Sequence, residues 1–483
     1  MRRLSPIVLV AVLAFAGCGG QQRAAAPADP GGSTLRATWT DPDGDGILSR
    51  AAGEALRDRT DLAPAARPGR TLATLAVLTD THVRDEEAPA RVPFLDRLGG
   101  EFSSTFRPQE TLSSQVLDAA VRSIDAVHPD AVLLTGDLID SAQANELALA
   151  RTVLNGGLAH PDSGAPGYDG IQRADNPDPA YYRPDVDPPR HPGLLDAAQR
   201  PFRAPGLTAP WYAVPGNHDL LLAGEVARTD ATDAVSVGDR LLTKPDEGLD
   251  VPRREDALSP AFVNRVLSGG LPGETRRIAP DPQRRELTPA QAIAGLRAAS
   301  GHRGSGARMD QVFDAGQDVR VIALDTVRRD VGSTGELNGA QVRWLGQQLR
   351  AAGDRRVLVV SHQPLTKVAG AGPALALLDR DPHVIALVAG DSHHNRIVAR
   401  PTPAGGYFLV QTSSLADFPQ QGRALRIRET AGGGTALETW MLDTAPGPLA
   451  DTARSLAFLD AQGGRPAGDI GGRGDRNVRL FHR

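Results

Sequence analysis

Ala131-Val132-Leu133-Leu134-Thr135-Gly136-Asp137-Leu138-Ile139-Asp140 is an aliphatic run that stops on a glycine and a carboxylate. Four aliphatic residues with no polar alternation suit a strand buried on both faces, and a glycine just after it allows a tight turn. The same arrangement recurs on either side. Upstream, Leu75–Leu78 runs into Asp80-Thr81-His82, and downstream Trp211–Val214 runs into Gly216-Asn217-His218-Asp219. Val357–Val360 is followed by Ser361-His362-Gln363-Pro364, and Val384–Val388 by Gly390-Asp391-Ser392-His393-His394. Carboxylates, imidazoles and one amide therefore gather at the C-terminal ends of strands, where α/β folds place their sites.

Val319–Leu324 is a further aliphatic run, and helical periodicity over Val116–Ile124 and Gly339–Leu349 separates some of the strands. Near the end, Tyr407–Gln411, Ala424–Arg428 and Thr435–Leu442 read as successive antiparallel strands. The order predicts an α/β (α+β) fold of two packed sheets with helices outside. Residues 155–205 and 220–315, rich in Pro, Gly, Asp and Arg, read as surface excursions around the site.

Composition narrows the function. The chain has 483 residues, 40% of them hydrophobic, enough for a large core, and only 4% aromatic, so aliphatic side chains do the packing. With a net charge of −5 and no lysine or arginine run, the basic stripe of a phosphate-neutralising nucleic-acid binder is missing.

The N-terminal end carries a targeting signal. Met1-Arg2-Arg3 precedes the apolar run Ile7–Ala16, too short to span a bilayer, and predicts a signal peptide over 1–17. Phe15-Ala16-Gly17-Cys18 resembles a bacterial lipobox, with Phe15 in place of the usual Leu, and predicts lipidation of Cys18 and a membrane anchor. Cleavage after Ala16 is the alternative and gives a soluble exported protein. Cys18 is the only cysteine, so no intramolecular disulfide forms. Residues 18–69 read as a tether and 446–483 as a tail around a catalytic domain over 70–445. Within the tether, Asp41, Asp43 and Asp45 with Gly46 match the start of a calcium loop. Ala52 stands where that loop needs Glu, and Glu54 comes two residues late, so a solvated acidic turn is the competing reading.

The strand-end residues suit a metal site. An Asp-x-His pair on a strand end sends both side chains one way, and mixed Asp, His and Asn ligation suits Mn, Fe or Zn better than Ca. In their order, D-x-H, G-D, G-N-H-D, a lone H and a final G-x-x-H, these motifs resemble the calcineurin-like metallophosphoesterases, in particular exported bacterial members. The resemblance covers residues 70–445 and implies a four-layer sandwich, two mixed β-sheets flanked by helices. It implies that Asp80, His82 and His393 hold one metal, Asn217 and His362 a second, and that Asp137 bridges them. His218 would face the substrate without binding metal, and Asp219 would either hold its ring or cap a helix. Asp391 stands where the family has His; it is expected to ligate the second metal through oxygen, with pointing away as the alternative. Asp140 stands where the purple acid phosphatases carry an iron-binding Tyr, which argues against that branch. Asn395 and Arg396 are weaker candidates for substrate phosphate. The implied activity is dinuclear-metal-dependent hydrolysis of small phosphoesters by a metal-bridging hydroxide, outside the cytoplasm. A feeble metal-binding surface lipoprotein and a nuclease are the alternatives; His218 argues against the first and the missing basic stripe against the second.

Overall fold

Alternation along Pro68–Leu78 shows how the layers are made. Leu75 and Val77 face a core shared by two sheets, while Ala76 and Leu78 face the helices behind. In this computed structural model residues 32–91, 106–249, 259–300, 302, 304, 306–330, 332–463 and 470–483 are described. The expected signal peptide and Cys18 lie outside them.

The first sheet runs Arg57–Arg59, Val478–His482, Thr435–Asp443, Gln421–Thr430, Pro68–Leu78, Ala131–Leu134, Trp211–Ala213. The last three strands are parallel, and Gln421–Thr430 joins them antiparallel. The second sheet runs Gln311–Ala315, Val319–Leu324, Arg356–Ser361, Val384–Ala389, Tyr407–Gln411, Arg396–Arg400, with the middle four parallel. Val321, Val360, Val388 and Val410 meet Leu75, Val77 and Leu133 between the sheets. Each such side chain, fully buried, contributes about 1.5–3 kcal/mol. Helices Ser113–Asp125, Ala144–Asn155, Pro289–Ser300 and Pro448–Gln462 cover the first sheet, and Gly339–Ala352 and Gly372–Leu378 the second. The result is the expected α/β sandwich of four layers, two mixed sheets between helices.

Several expectations change. Tyr407–Gln411 is no neighbour of Gln421–Thr430: it pairs parallel with Val384–Ala389 in the other sheet. The excursion over 220–315 is partly core, because Ile293 and Leu296 of Pro289–Ser300 pack into the cluster that holds Leu147. Tether and tail also belong to the sandwich. Arg57–Arg59 and Val478–His482 are strands of the first sheet, and Leu456 lies in its outer core. Arg423, fully buried, clamps the tail: its guanidinium donates to Asn395 Oδ1 at 2.9 Å, Thr439 Oγ1 at 3.0 Å and the Asp475 carbonyl at 3.0 Å.

The Asp41 loop is a hairpin turn between Ala37–Thr40 and Ser49–Ala52. The Asp41 carboxylate accepts from the backbone N–H of Gly44, Asp45 and Gly46. Asp41, Asp43 and Asp45 bring carboxylate oxygens within 4.8 Å of one another on the surface, while Glu54 turns to Arg476 at 2.6 Å and not to the loop. Among the described residues, no helix is long and apolar enough to cross a membrane.

Candidate metal centre

Asp80, His82, Asp137, Asp391 and His393 all have left-handed backbone, with φ of 49°, 42°, 51°, 66° and 55°. Such conformations cost about 1 kcal/mol or more each in non-glycine residues and cluster at functional sites. This corrects the sequence reading. The Asp80/His82 pair converges not through strand alternation, since both follow the strand's end at Leu78, but through these loop conformations. The two loops are zipped together by Asp80 N–H to the Gly136 carbonyl at 3.0 Å and Thr81 N–H to the Asp137 carbonyl at 2.8 Å. Gly136 has φ of 98°, and a Cβ there would overlap the His362 ring; at Gly216 it would overlap the Asp137 carboxylate.

These loops bring six of the expected ligands, Asp80, His82, Asp137, Asn217, His362 and His393, into one buried cluster. Asp80, His82 and His393 offer ligand atoms within 4.8 Å of one another, as do Asp80, Asp137 and His362. Asp137 is central: its Oδ2 lies 3.2 Å from His362 Nε2 and 3.8 Å from His82 Nε2. His362 Nε2 is also 3.0 Å from Asn217 Oδ1, and His393 Nε2 is 3.3 Å from Asp80 Oδ1. Burial opposes the charge of Asp137, yet the adjoining His362 and His218 rings hold its carboxyl well below the usual range.

Each of the three imidazoles His82, His362 and His393 is held at Nδ1, leaving Nε2 for the centre. His82 Nδ1 meets Asp140 Oδ1 at 2.9 Å, His362 Nδ1 the Thr135 carbonyl at 2.8 Å, and His393 Nδ1 the Asp417 carboxylate. The two carboxylates are in turn fixed by buried arginines: Arg84 lies 3.1 Å from Asp140, and Arg107 2.6 Å from Asp417. This is how proteins fix the tautomer and aim of a metal-binding imidazole. His82 Nε2 is the decisive atom, since it is buried and has no hydrogen-bond partner among the described residues. Burial draws that ring down to about 4, so it stays neutral and keeps its lone pair for a cation.

The model of the Metallophos family, calcineurin-like phosphoesterase, matches residues 73–395. The chain belongs to this family. It is a metal-dependent phosphoester hydrolase, and its cluster of Asp, His and Asn fits the family's dinuclear centre. Among solved structures, a dimetal phosphatase from Danio rerio is similar at 13% identity, covering 78% of this chain and 100% of that one with a TM-score of 0.36. The sulfate thiohydrolase SoxB of Thermus thermophilus is similar at 15% identity, covering 82% of this chain and 61% of that one with a TM-score of 0.29. No curated protein matches.

The remaining expected residues of this calcineurin-like phosphoesterase divide. His218 stands edge-on to His82, ring centres 4.4 Å apart, and its Nδ1 meets the Asp140 carbonyl at 2.8 Å. Asp140, not Asp219, therefore holds the ring. Asp219 accepts from the backbone N–H of Gly216 at 2.8 Å and Ile139 at 3.0 Å, bracing two motif loops, and caps no helix. Asp391 sits at the rim with its side chain 22% exposed and Oδ1 3.7 Å from His362 Nε2. Asn395 is buried structure: it accepts from Arg423 and from Ser413 N–H, and is not free for phosphate. Arg396 is exposed on the edge strand Arg396–Arg400.

Sequence reasoning passed over the supporting layer: Asp417, Arg84, Arg107 and Gly224, and the role of Asp140. At Gly224 an added Cβ would overlap His218 Nε2 and crowd Asn217 Nδ2, so the missing side chain keeps that ring edge clear.

Proposed function

We infer that Asp80, His82 and His393 hold one divalent cation, Asn217, His362 and Asp391 a second, with Asp137 between them, and that the centre hydrolyses small phosphoesters outside the cytoplasm. The position of the Asp137 carboxylate between His82 and His362 carries this reading. A pair of divalent cations would neutralise the phosphate oxygens and acidify an attacking water. The protein's own part is orientation. Asn217 gives its amide N–H to the Gly224 carbonyl at 3.1 Å, which turns its oxygen to the centre. His218, tied at Nδ1 to Asp140, has Nε2 left to give a proton to the leaving oxygen. A panel of p-nitrophenyl phosphate, bis-p-nitrophenyl phosphate, a nucleotide and single-stranded DNA with Mn²⁺, Zn²⁺ or Fe²⁺ tests the reading. Hydrolysis of the small esters that stops with chelator is expected; full turnover in chelator overturns it.

Asp391 is the residue that sets this chain apart. As a ligand it would bring the charge of Asp80, Asp137 and Asp391 to −3 against +4 from two cations. The second cation would then be a weaker Lewis acid, with harder ions such as Mn²⁺ favoured. Asp391→Ala is expected to lower second-cation occupancy and turnover together, by about tenfold, and Asp391→His to shift preference towards Zn²⁺. Two bound cations with unchanged kcat in the Ala variant would make Asp391 a bystander.

The carboxylates behind the imidazoles give a separate prediction. Asp417→Asn leaves the ligands in place but removes the anion at His393 Nδ1. Metal affinity measured by calorimetry should fall about 10–100-fold, and an unchanged affinity would show that Asp417 only packs.

Export rests on the Met1–Cys18 stretch. Fractionation should find the protein with membranes and Cys18→Ser should release it; a mature protein starting at Gly17 with a free thiol would count against the anchor.

A further inference from the structure

The second sheet leaves part of its outer face uncovered. Helices Gly339–Ala352 and Gly372–Leu378 pack over the face carrying Ile322, Val357 and Val359. Beyond them, towards the edge strand Arg396–Arg400, lies a cavity of about 190 Å³. Its apolar wall is Leu387, Leu409 and Val398. Val398 is 37% exposed, one of four large hydrophobic residues so exposed among the described residues. None of the residues lining the cavity is a candidate metal ligand, although Ser361 and Ala389 adjoin the turns that carry His362 and Asp391.

Two cations line the same cavity. Lys367, one of only two lysines in the chain, comes from the loop after His362, and Arg396 from the edge strand. Both are exposed, and neither side chain is hydrogen-bonded or ion-paired among the described residues. Most other arginines here are tied to carboxylates or carbonyls, as Arg400 is to Asp379 at 2.7 Å. An apolar wall with a few polar groups is how small-molecule sites are built. Unneutralised cations at its edge attract anions and repel cations. Gln411 also lines the cavity, and its Nε2 donates to Ser392 Oγ at 3.0 Å, in the turn between Asp391 and His393.

We propose that this cavity is a second ligand site, taking a small anion with an apolar body: an aryl or short alkyl group bearing one sulfonate, carboxylate or phosphate head. The head lies between Lys367 and Arg396, and the body against Leu387, Leu409 and Val398. The site stands independently of the metal reading.

Naphthalene-2-sulfonate is a suitable probe, because it has the head and the body but no phosphoester to hydrolyse. Titrated against the full chain by ligand-detected NMR, it should bind with a dissociation constant on the order of 1 mM or tighter. Inorganic sulfate and 2-naphthol, head and body alone, should each bind about tenfold more weakly or worse. Lys367→Ala/Arg396→Ala should weaken the probe by about tenfold, and Val398→Asp, which sets an anion on the wall, should do the same. These positions are exposed, so the variants should fold, which circular dichroism checks. Binding should survive chelation. Loss on chelation would put the probe in the metal centre and overturn the proposal. Unchanged affinity in the double variant, or 2-naphthol binding as well as the sulfonate, would overturn it too.

Discussion

Asp137→Asn should lower kcat by about a thousandfold and strip metal from the centre. The substitution keeps the side chain's size and changes its chemistry. A carboxylate has two oxygens and a negative charge, so it can face two cations at once; an amide has one oxygen, and its N–H₂ would point at one of them. Asp137 meets both halves of the cluster, 3.2 Å from His362 Nε2 and 3.8 Å from His82 Nε2, while its other oxygen accepts from His218 N–H at 2.9 Å. If Asp137 bridges two cations as proposed, its loss would remove several kcal/mol of charge stabilisation, and about 4 kcal/mol corresponds to a thousandfold in rate. Metal content should fall below two per chain in the same sample. Two retained cations with kcat within tenfold of the parent would show that Asp137 does not bridge. Asp137→Glu separates charge from reach: it keeps the anion but overfills a site where Gly216 already lies against Asp137. It should hold metal better than the Asn variant and still turn over poorly.

The chain's own order made this site legible because each motif directly follows a buried strand. Ala131–Leu134 and Val384–Ala389 are buried at every position, so neither can be mistaken for a surface loop. The backbone that aims the ligands was not legible. Left-handed φ at Asp80, His82, Asp137, Asp391 and His393 is held by loops zipped to neighbouring loops; Asp and His tolerate that conformation better than most residues, but the tendency alone does not pick out these positions. The supporting carboxylates were hidden by distance along the chain. Asp140 is 58 residues from His82 and Asp417 is 24 from His393, and only the fold sets them side by side. Arg57–Arg59 escaped for a different reason. Arg-Asp-Arg has no apolar alternation, and it joins the sheet through backbone pairing with Val478–Leu480. Val478 and Leu480 do alternate with Arg479, so the last strand carried a signal that the Gly-rich stretch before it obscured.

His218→Asn should cut kcat by about a hundredfold or more, the usual scale for a lost general acid, with both cations still bound. The geometry separates this role from ligation. The three candidate ligand imidazoles turn Nε2 to the centre, but His218 turns its ring edge towards Gly224, with Nδ1 fixed on the Asp140 carbonyl at 2.8 Å. Burial works against a charged ring there, yet the Asp137 and Asp140 charges raise its pKa, which favours the proton-bearing form that can donate. The leaving group supplies the sharper reading. A p-nitrophenolate departs with little help, whereas an alkoxide needs a proton as the P–O bond breaks. The Asn variant should therefore lose more on an alkyl phosphoester than on p-nitrophenyl phosphate. Equal losses on both would assign His218 to charge stabilisation on the phosphoryl group and not to proton transfer. A fall in metal content would make it a ligand. His82 is the built-in control, because its ring meets His218 edge-on at 4.4 Å. His82→Asn should lose metal first and turnover with it, and His218→Asn should lose turnover alone.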